Sequence, residues 1–514
     1  VVAFLWYAAR QNNNIMLWWL VFCYGVFLFL LSLKIFQVLS LKKCIQQFGM
    51  REKTLCIAFF HPYCSGGGGG ERVLWKIVTA LNRLHREGAR KFHIIIYSCE
   101  DWNEDDKEGA KSAVERILAK ADRLFNLGLT TDCTVPVDFV FLKSTRYLDA
   151  ARYPYFTMLG QSLGSMVVGW EALWRSGAPH LFIDTTGFAF TLPVAKLVFG
   201  SRTAAYVHYP TISTDMLRTV APQFSKEESL DHQPNLVHSR RKWVAKSWIF
   251  SSIKLLYYLG YAGLYGLAGA FCDLCMVNSS WTCGHIRRLW LLTRKPHIVF
   301  PPCDTTSLQG LALEGREPVI LSVGQYRTEK DHPLQVRIMA KLIEKYGHDP
   351  QVQKARMVMV GGCRNQEDQE RVTSIKNLSI ELGVQDNVEV VVNAPYNELR
   401  RWLGRSSIGL HTMWNEHFGI CVVEYMAAGL LAVAHRSGGP LADIVTPYHH
   451  QPTGMLAETL DEYADAIANV LKCKKEADLD VRANARASAH RFSDESFEII
   501  FLNIFSDFLL RHFK

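Results

Sequence analysis

An α/β fold of two facing domains behind a membrane anchor is what this chain of 514 residues predicts, and three observations carry the prediction. An uncharged apolar run stands near the N-terminus. Two successive blocks of strand-length apolar runs alternate with helical stretches, divided at Pro301-Pro302. In the second block Glu416 and Glu424 sit eight positions apart, where a loop becomes a helix. With 49% hydrophobic and 21% charged residues, the chain can build two or three domains with cores of their own.

The anchor comes first, assigned to residues 1–45. Ile15 to Leu33 carries no charge, and at ~1.5 Å per helical residue it spans about 28 Å, close to the hydrocarbon thickness of a bilayer. Trp18, Trp19, Phe27 and Phe29 do not suit a cleaved signal peptide. Arg10 stands alone before the run, whereas Lys34, Lys42, Lys43, Arg51 and Lys53 follow it, so the positive-inside bias puts the rest of the chain in the cytosol. Thirteen scattered cysteines fit a reducing compartment. Cys272 and Cys275, with Cys283 and His285 nearby, read as packing rather than a zinc site. The net charge of +8 suits an anionic membrane face or a diphosphate, and no nucleic-acid-binding motif accompanies it.

The N-terminal domain is assigned to residues 50–300. Leu55 to Phe60 is a strand, Gly66 to Gly70 a glycine loop, and the stretch from Glu71 a helix with Val73, Leu74, Ile77, Val78 and Leu81 at helical spacing. That places the glycines in the first βα turn of a parallel sheet, where the backbone can approach a phosphate or sugar. Further strands are expected at His93 to Tyr97, Val137 to Leu142, His180 to Asp184 and Thr203 to Val207. Ligands of such sheets lie beyond the carboxyl ends of the strands, where His61, Asp184 and His208 fall. A second hydrophobic segment, 246–271, reads as a glycine-rich aromatic helix lying on the membrane rather than crossing it.

The C-terminal domain, 301–490, repeats the pattern. Strands are expected at Val319 to Val323, Arg356 to Val360, Asn387 to Val392, Ser407 to Leu410 and Leu430 to Ala434, and the loop Gly324-Gln-Tyr-Arg-Thr-Glu-Lys330 follows the first. A final helix, 491–514, is apolar at Phe497, Ile500, Phe501, Ile504, Phe505, Phe508 and Leu509, a docking stripe. Between Trp414 and Gly419 the chain reads as loop, and from Cys421 as helix with a stop at Gly429. Amides of Phe418, Gly419 and Ile420 would then point at an anion on the helix N-terminus, while Glu416 and Glu424 receive hydroxyls.

This paired-glutamate stretch resembles the retaining glycosyltransferases of the GT-B fold, two Rossmann-like domains facing a cleft. With His61-Pro-Tyr-Cys and its glycine run, Val277-Asn-Ser-Ser-Trp-Thr, Pro301-Pro-Cys-Asp and Gly324-Gln-Tyr-Arg-Thr-Glu-Lys, the chain is similar to the dolichol-linked oligosaccharide α-1,2-mannosyltransferases of asparagine-linked glycosylation. The resemblance implies a GDP-mannose donor and a dolichol-diphosphate oligosaccharide acceptor. It also implies the cytosolic face of the endoplasmic reticulum, addition of the fourth and fifth mannoses with retention, and other mannosyltransferases of the pathway as partners. It assigns Glu416 to the mannose, His208 to donor sugar or acceptor, and Arg327 and Lys330 to the diphosphate, Arg327 standing in for the family's arginine at Gln325. Glu424 is assigned to the ribose, with Phe418, Gly419, Ile420, Gly324, Gly68 and Gly69 on the donor side. His61, Gly66, Gly67 and Asp184 fall on the acceptor side. No metal or cofactor is expected: no Asp-x-Asp ends a strand, and Asp105-Asp106 reads as solvated loop. Alternatives are a transferase of the same fold acting on another polyprenyl or glycerolipid acceptor, and an inactive membrane scaffold. A nicotinamide oxidoreductase is weaker, for want of clean dinucleotide spacing.

Overall fold

Long uninterrupted apolar runs in the sequence become strands covered on both faces, as parallel sheets require. The computed structural model describes residues 13–51, 53–88, 90–99, 107–220, 248–473 and 475–513; Arg10, Asp105, Asp106 and Lys246 lie outside them. The N-terminal lobe holds β1 (Leu55–Phe60), β2 (Phe92–Ser98), β3 (Val137–Phe141), β4 (Leu181–Asp184), β5 (Arg202–Val207), β6 (Leu274–Val277) and β7 (His297–Ile298), in the order β3-β2-β1-β4-β5-β6-β7. The C-terminal lobe holds β8 (Glu317–Val323), β9 (Arg356–Gly361), β10 (Val388–Val392), β11 (Ser406–His411), β12 (Leu431–His435) and β13 (Gly454–Ala457), in the order β10-β9-β8-β11-β12-β13. Every pairing is parallel. The short strands β6, β7 and β13 add to the expected set, because two to four residues carry too little periodicity to be read.

Alternation along β1 sends Ala58 and Phe60 to one core layer and Ile57 and Phe59 to the other. The helices that matter below are α1 (Asn13–Gln47), α2 (Gly69–Arg86), α3 (Thr157–Ser176), α4 (Trp248–Gly269), α5 (Ser280–Leu289), α6 (Ile420–Ala428) and α7 (Asp494–His512). Helix α2 starts at Gly69, two residues before the expected start, so the last two glycines of the run are helical. Helix α7 does not stay with the lobe that precedes it. Its Phe497, Phe501, Phe505 and Phe508 join the core layer of the N-terminal sheet, and Asp494 takes Arg72 and Lys76 at 2.9 and 2.8 Å.

Among the described residues α1 is the one helix long and apolar enough to cross a membrane. Helix α4 instead buries Tyr258, Tyr261 and Tyr265 in the N-terminal core. Cys272, Cys275 and Cys283 are in that core too, and no group of three metal-ligating side chains occurs among the described residues.

Candidate active site

The carboxyl ends of the two sheets meet through consecutive pairs of residues. His208 and Tyr209 follow β5, Glu416 and His417 follow β11, and the Tyr209 and His417 rings stack at 4.0 Å. Trp281, at the start of α5, stacks on both rings, 5.5 Å from His417 and 6.3 Å from Tyr209. Two polar contacts brace this junction: Asn415 Nδ2 donates to Asp215 Oδ2 at 3.1 Å, and the Ser280 amide to Asp443 Oδ2 at 2.8 Å.

Glu416 is gripped from two directions. Lys330 Nζ donates to its Oε2 at 2.5 Å and His411 Nε2 to the same oxygen at 3.1 Å, while Oε1 accepts the His417 amide at 3.1 Å. Burial opposes charge on this carboxyl, yet Lys330 and then His411 hold it well below the ordinary carboxylate range. Burial likewise opposes charge on His411, but Cys421, whose sulfur lies 3.4 Å from Nδ1, and Glu416 raise it to about 9. Lys330 and His411 thus set two proton donors on one carboxylate oxygen just ahead of α6, an arrangement suited to a departing anion.

Glu424 is the counterexample. It lies in α6, makes no hydrogen bond or ion pair among the described residues, and burial raises it to about 7, with Arg72 pulling the other way. Between the two glutamates Gly419 caps α6 at φ +113°, a conformation that suits glycine. Among the described residues the amides of Gly419, Ile420 and Cys421 find no acceptor, so the helix N-terminus is open to an anion. The Phe418 side chain is in the core against Phe300 and Phe492, which leaves its backbone for any ligand.

His208 supplies the opposite wall. Its ring hydrogen-bonds the Thr185 backbone, burial pushes it down to about 4, and Nε2 has no partner among the described residues, so a buried lone pair is left to accept a hydroxyl. The glycine loop brings these pieces together. A Cβ on Gly69 would stand 2.6 Å from Ile420 Cδ1, and one on Gly70 3.5 Å from His208 Nε2. Gly66 and Gly68 have another reason to lack side chains: their Cβ atoms would sit 2.8 and 2.7 Å from the carboxylate of Glu71, which accepts the Gly68 amide at 2.8 Å. Gly67 has room for a side chain.

The remaining predicted residues divide. Arg327 is half exposed on the loop that carries Lys330, and among the described residues its one ion-pair partner is Glu329 at 3.7 Å, which leaves its outer nitrogens available to a phosphate. Gly324 ends the approach of β8 and lies over the aliphatic stem of Lys330. His61 and Asp184 are occupied internally. His61 Nδ1 lies 2.8 Å from Thr185 Oγ1, and Asp184 accepts the amides of Thr186 and Gly187 and holds the loop after β4. Sequence reasoning missed His411, although it stands at a strand end like His208, and it gave no role to Tyr209, next to His208, or to Trp281, inside the Val277-Asn-Ser-Ser-Trp-Thr motif. A cavity of about 500 Å³ lined by Asp273, Arg294 and Arg511 opens beside the start of β6, at the other end of the sheet from these residues.

Known proteins sort the chain in the same way. Residues 54–290 match the family described as ALG11 mannosyltransferase N-terminus, and residues 305–488 match glycosyl transferases group 1. A Homo sapiens protein named GDP-Man:Man(3)GlcNAc(2)-PP-Dol alpha-1,2-mannosyltransferase is 43% identical, the match covering 90% of this chain and 89% of that protein. The protein of the same name from Dictyostelium discoideum is 40% identical over 87% of this chain and 83% of its own length. Among solved structures, sucrose-phosphate synthase from Thermosynechococcus elongatus has a TM-score of 0.57 at 15% identity, covering 89% of this chain and 100% of its own. Anabaena HepE in complex with UDP and glucose has a TM-score of 0.53 at 15% identity, covering 88% and 99%. These two likenesses establish the GT-B fold.

Proposed function

This chain belongs to the family of GDP-Man:Man(3)GlcNAc(2)-PP-Dol alpha-1,2-mannosyltransferases, and from that membership we propose that it transfers mannose from GDP-mannose to a dolichol-diphosphate oligosaccharide. It adds the fourth and fifth mannoses, with retention, on the cytosolic face of the endoplasmic reticulum, and works beside other mannosyltransferases of the pathway. One observation carries the reading: an ionised Glu416, held by Lys330 and His411, stands directly before a helix whose first amides are unpaired, across from the free Nε2 of His208.

The donor's diphosphate lies on the α6 N-terminus and Arg327, with the proton donors Lys330 and His411 beside it to stabilise the charge that grows as the sugar–phosphate bond breaks. Glu416 accepts mannose hydroxyls and orients the sugar. Glu424 accepts those of the ribose. His208 accepts one further hydroxyl on the N-terminal side. The acceptor hydroxyl attacks from the face the diphosphate leaves, and the departing phosphate takes its proton. Fixed cations do the work that a metal does in other transferases, so EDTA leaves the rate unchanged.

Purified protein incubated with GDP-mannose and a lipid-linked trimannosyl acceptor should yield a pentamannosyl product cleaved by an α-1,2-mannosidase. Transfer from UDP-N-acetylglucosamine instead, or product in equal yield from the Glu416→Gln variant, would overturn the proposal.

A further inference from the structure

We propose that α3 lies in the membrane interface and forms, with α4, a lipid-facing platform that seats the N-terminal lobe beside its anchor; this rests on the membrane placement proposed above. Leu163, Val167, Trp170 and Trp174 recur every three or four residues along α3 and are 54, 51, 44 and 56% exposed, a single outward apolar stripe on a helix whose opposite face is packed into the core. No part of the described chain covers it.

Continuity with α1 identifies what does. Trp174 stacks on Phe36 of α1 at 6.2 Å and on Trp170 at 6.3 Å, and Phe199 packs against both Phe36 and Trp170. Lys43 Nζ donates to the Trp174 carbonyl at 2.5 Å, Gln37 Nε2 to that of Leu197 at 2.9 Å, and the Ala178 amide to Ser40 Oγ at 3.0 Å. The anchor is thus bolted along the edge of α3 and cannot swing clear of it. A bilayer that receives the exposed apolar upper part of α1 arrives at Trp174, and tryptophans at that depth occupy their preferred interfacial position.

The platform continues sideways. Ser162 Oγ lies 2.8 Å from the Tyr261 hydroxyl of α4, and the Leu159 amide donates to Tyr257 at 3.3 Å, while Leu256, Leu259 and Leu267 of α4 remain exposed. Arg146 and Arg152, both over the Tyr147 ring, stand just ahead of the exposed Tyr155 and Phe156, where lipid phosphates would lie. A soluble partner would have to displace lipid from beside the anchor to reach this face. The tyrosines that seat α4 also hydrogen-bond Thr211, three residues beyond His208. One layer of side chains therefore links the proposed lipid-facing surface to the loop that carries the N-terminal wall of the site.

The test uses the full chain in phosphatidylcholine–phosphatidylinositol vesicles, with a benzophenone amino acid at position 163, 167 or 256, and at exposed Ile380 of the other lobe as control. Irradiation should give lipid adducts at the first three positions and none at 380. No lipid adducts at 163 and 167, or adducts to protein in their place, would overturn the proposal, and because this readout needs no turnover it stands apart from the proposed reaction. The double variant Leu163→Glu with Val167→Glu should raise the KM for a vesicle-borne acceptor about tenfold, with kcat and the KM for GDP-mannose unchanged. An equal rise with a detergent-dispersed, short-chain acceptor would count as decisively against it.

Discussion

Glu416 and Glu424 are both partly buried, they stand before and within the same helix, and burial pushes them the same way, yet the first is held well below the ordinary carboxylate range and the second is raised to about 7. The difference is partnership. Glu416 has a lysine and a histidine on one oxygen; Glu424 feels Arg72 only at a distance, because Arg72 is spent on Asp494. A paired carboxylate is fixed in place and charge before any substrate arrives, whereas an unpaired one acquires its partners from the ligand. The first is suited to positioning a sugar in the transition state and the second to binding.

The largest expected effect breaks the paired side. Glu416→Gln should lower kcat by about 10²–10³ and, by stranding Lys330, destabilise the fold by about 2–4 kcal/mol. Adding Lys330→Met should restore much of the melting temperature and none of the turnover. Recovery of both would mean that Glu416 serves packing alone.

His208→Ala should cost about 10–100-fold in kcat/KM, as the loss of a buried acceptor matched to one hydroxyl does. The melting temperature should fall as well, because the ring's bond to the Thr185 backbone and its packing on Tyr206 at 4.8 Å go with it.

His411→Asn tests whether the second grip on Glu416 positions it. About a tenfold loss in kcat is expected with little change in the KM for GDP-mannose. The pH–rate profile of the parent should fall above about 9, where His411 loses its proton, and that limb should vanish in the variant. A purely structural histidine would leave the shape of the profile intact.

The unpaired side gives the smallest effect and the cleanest sign. A carboxyl raised from 4.5 to about 7 binds protons more readily in the folded chain, so its contribution to stability falls as pH rises through that window. Glu424→Gln should therefore stabilise the ligand-free protein at pH 8 by about 1–2 kcal/mol and do nothing at pH 4.5. The same group predicts that the KM for GDP-mannose rises as pH falls below about 7, and that the variant, weaker throughout, shows no such dependence. Chemical denaturation at the two pH values and donor titrations across the range would read both.

Much of this molecule could be read before it was folded. The glycine run between strand and helix, the long apolar helix α1 and the loop-to-helix step at Gly419 are all local patterns, recoverable within a window of about ten to twenty residues. His61 and Asp184 show where that reading ends. They stand at strand ends as expected, but nothing local reveals that both side chains are already engaged inside the lobe, and nothing local distinguishes them from His208, whose Nε2 is free.

The sequence alone determined which backbone would become sheet, loop and helix, and hence that two carboxylates would flank an anion-binding helix start, because those outcomes depend on neighbours along the chain. Tertiary structure decided the charge each carboxylate holds, since the lysine that settles Glu416 comes from 86 positions away. It also decided that α7 crosses back to the first lobe and that the apolar stripe of α3 faces outward beside α1. Solvent exclusion and Coulomb interaction act through space, so only the folded arrangement sets them.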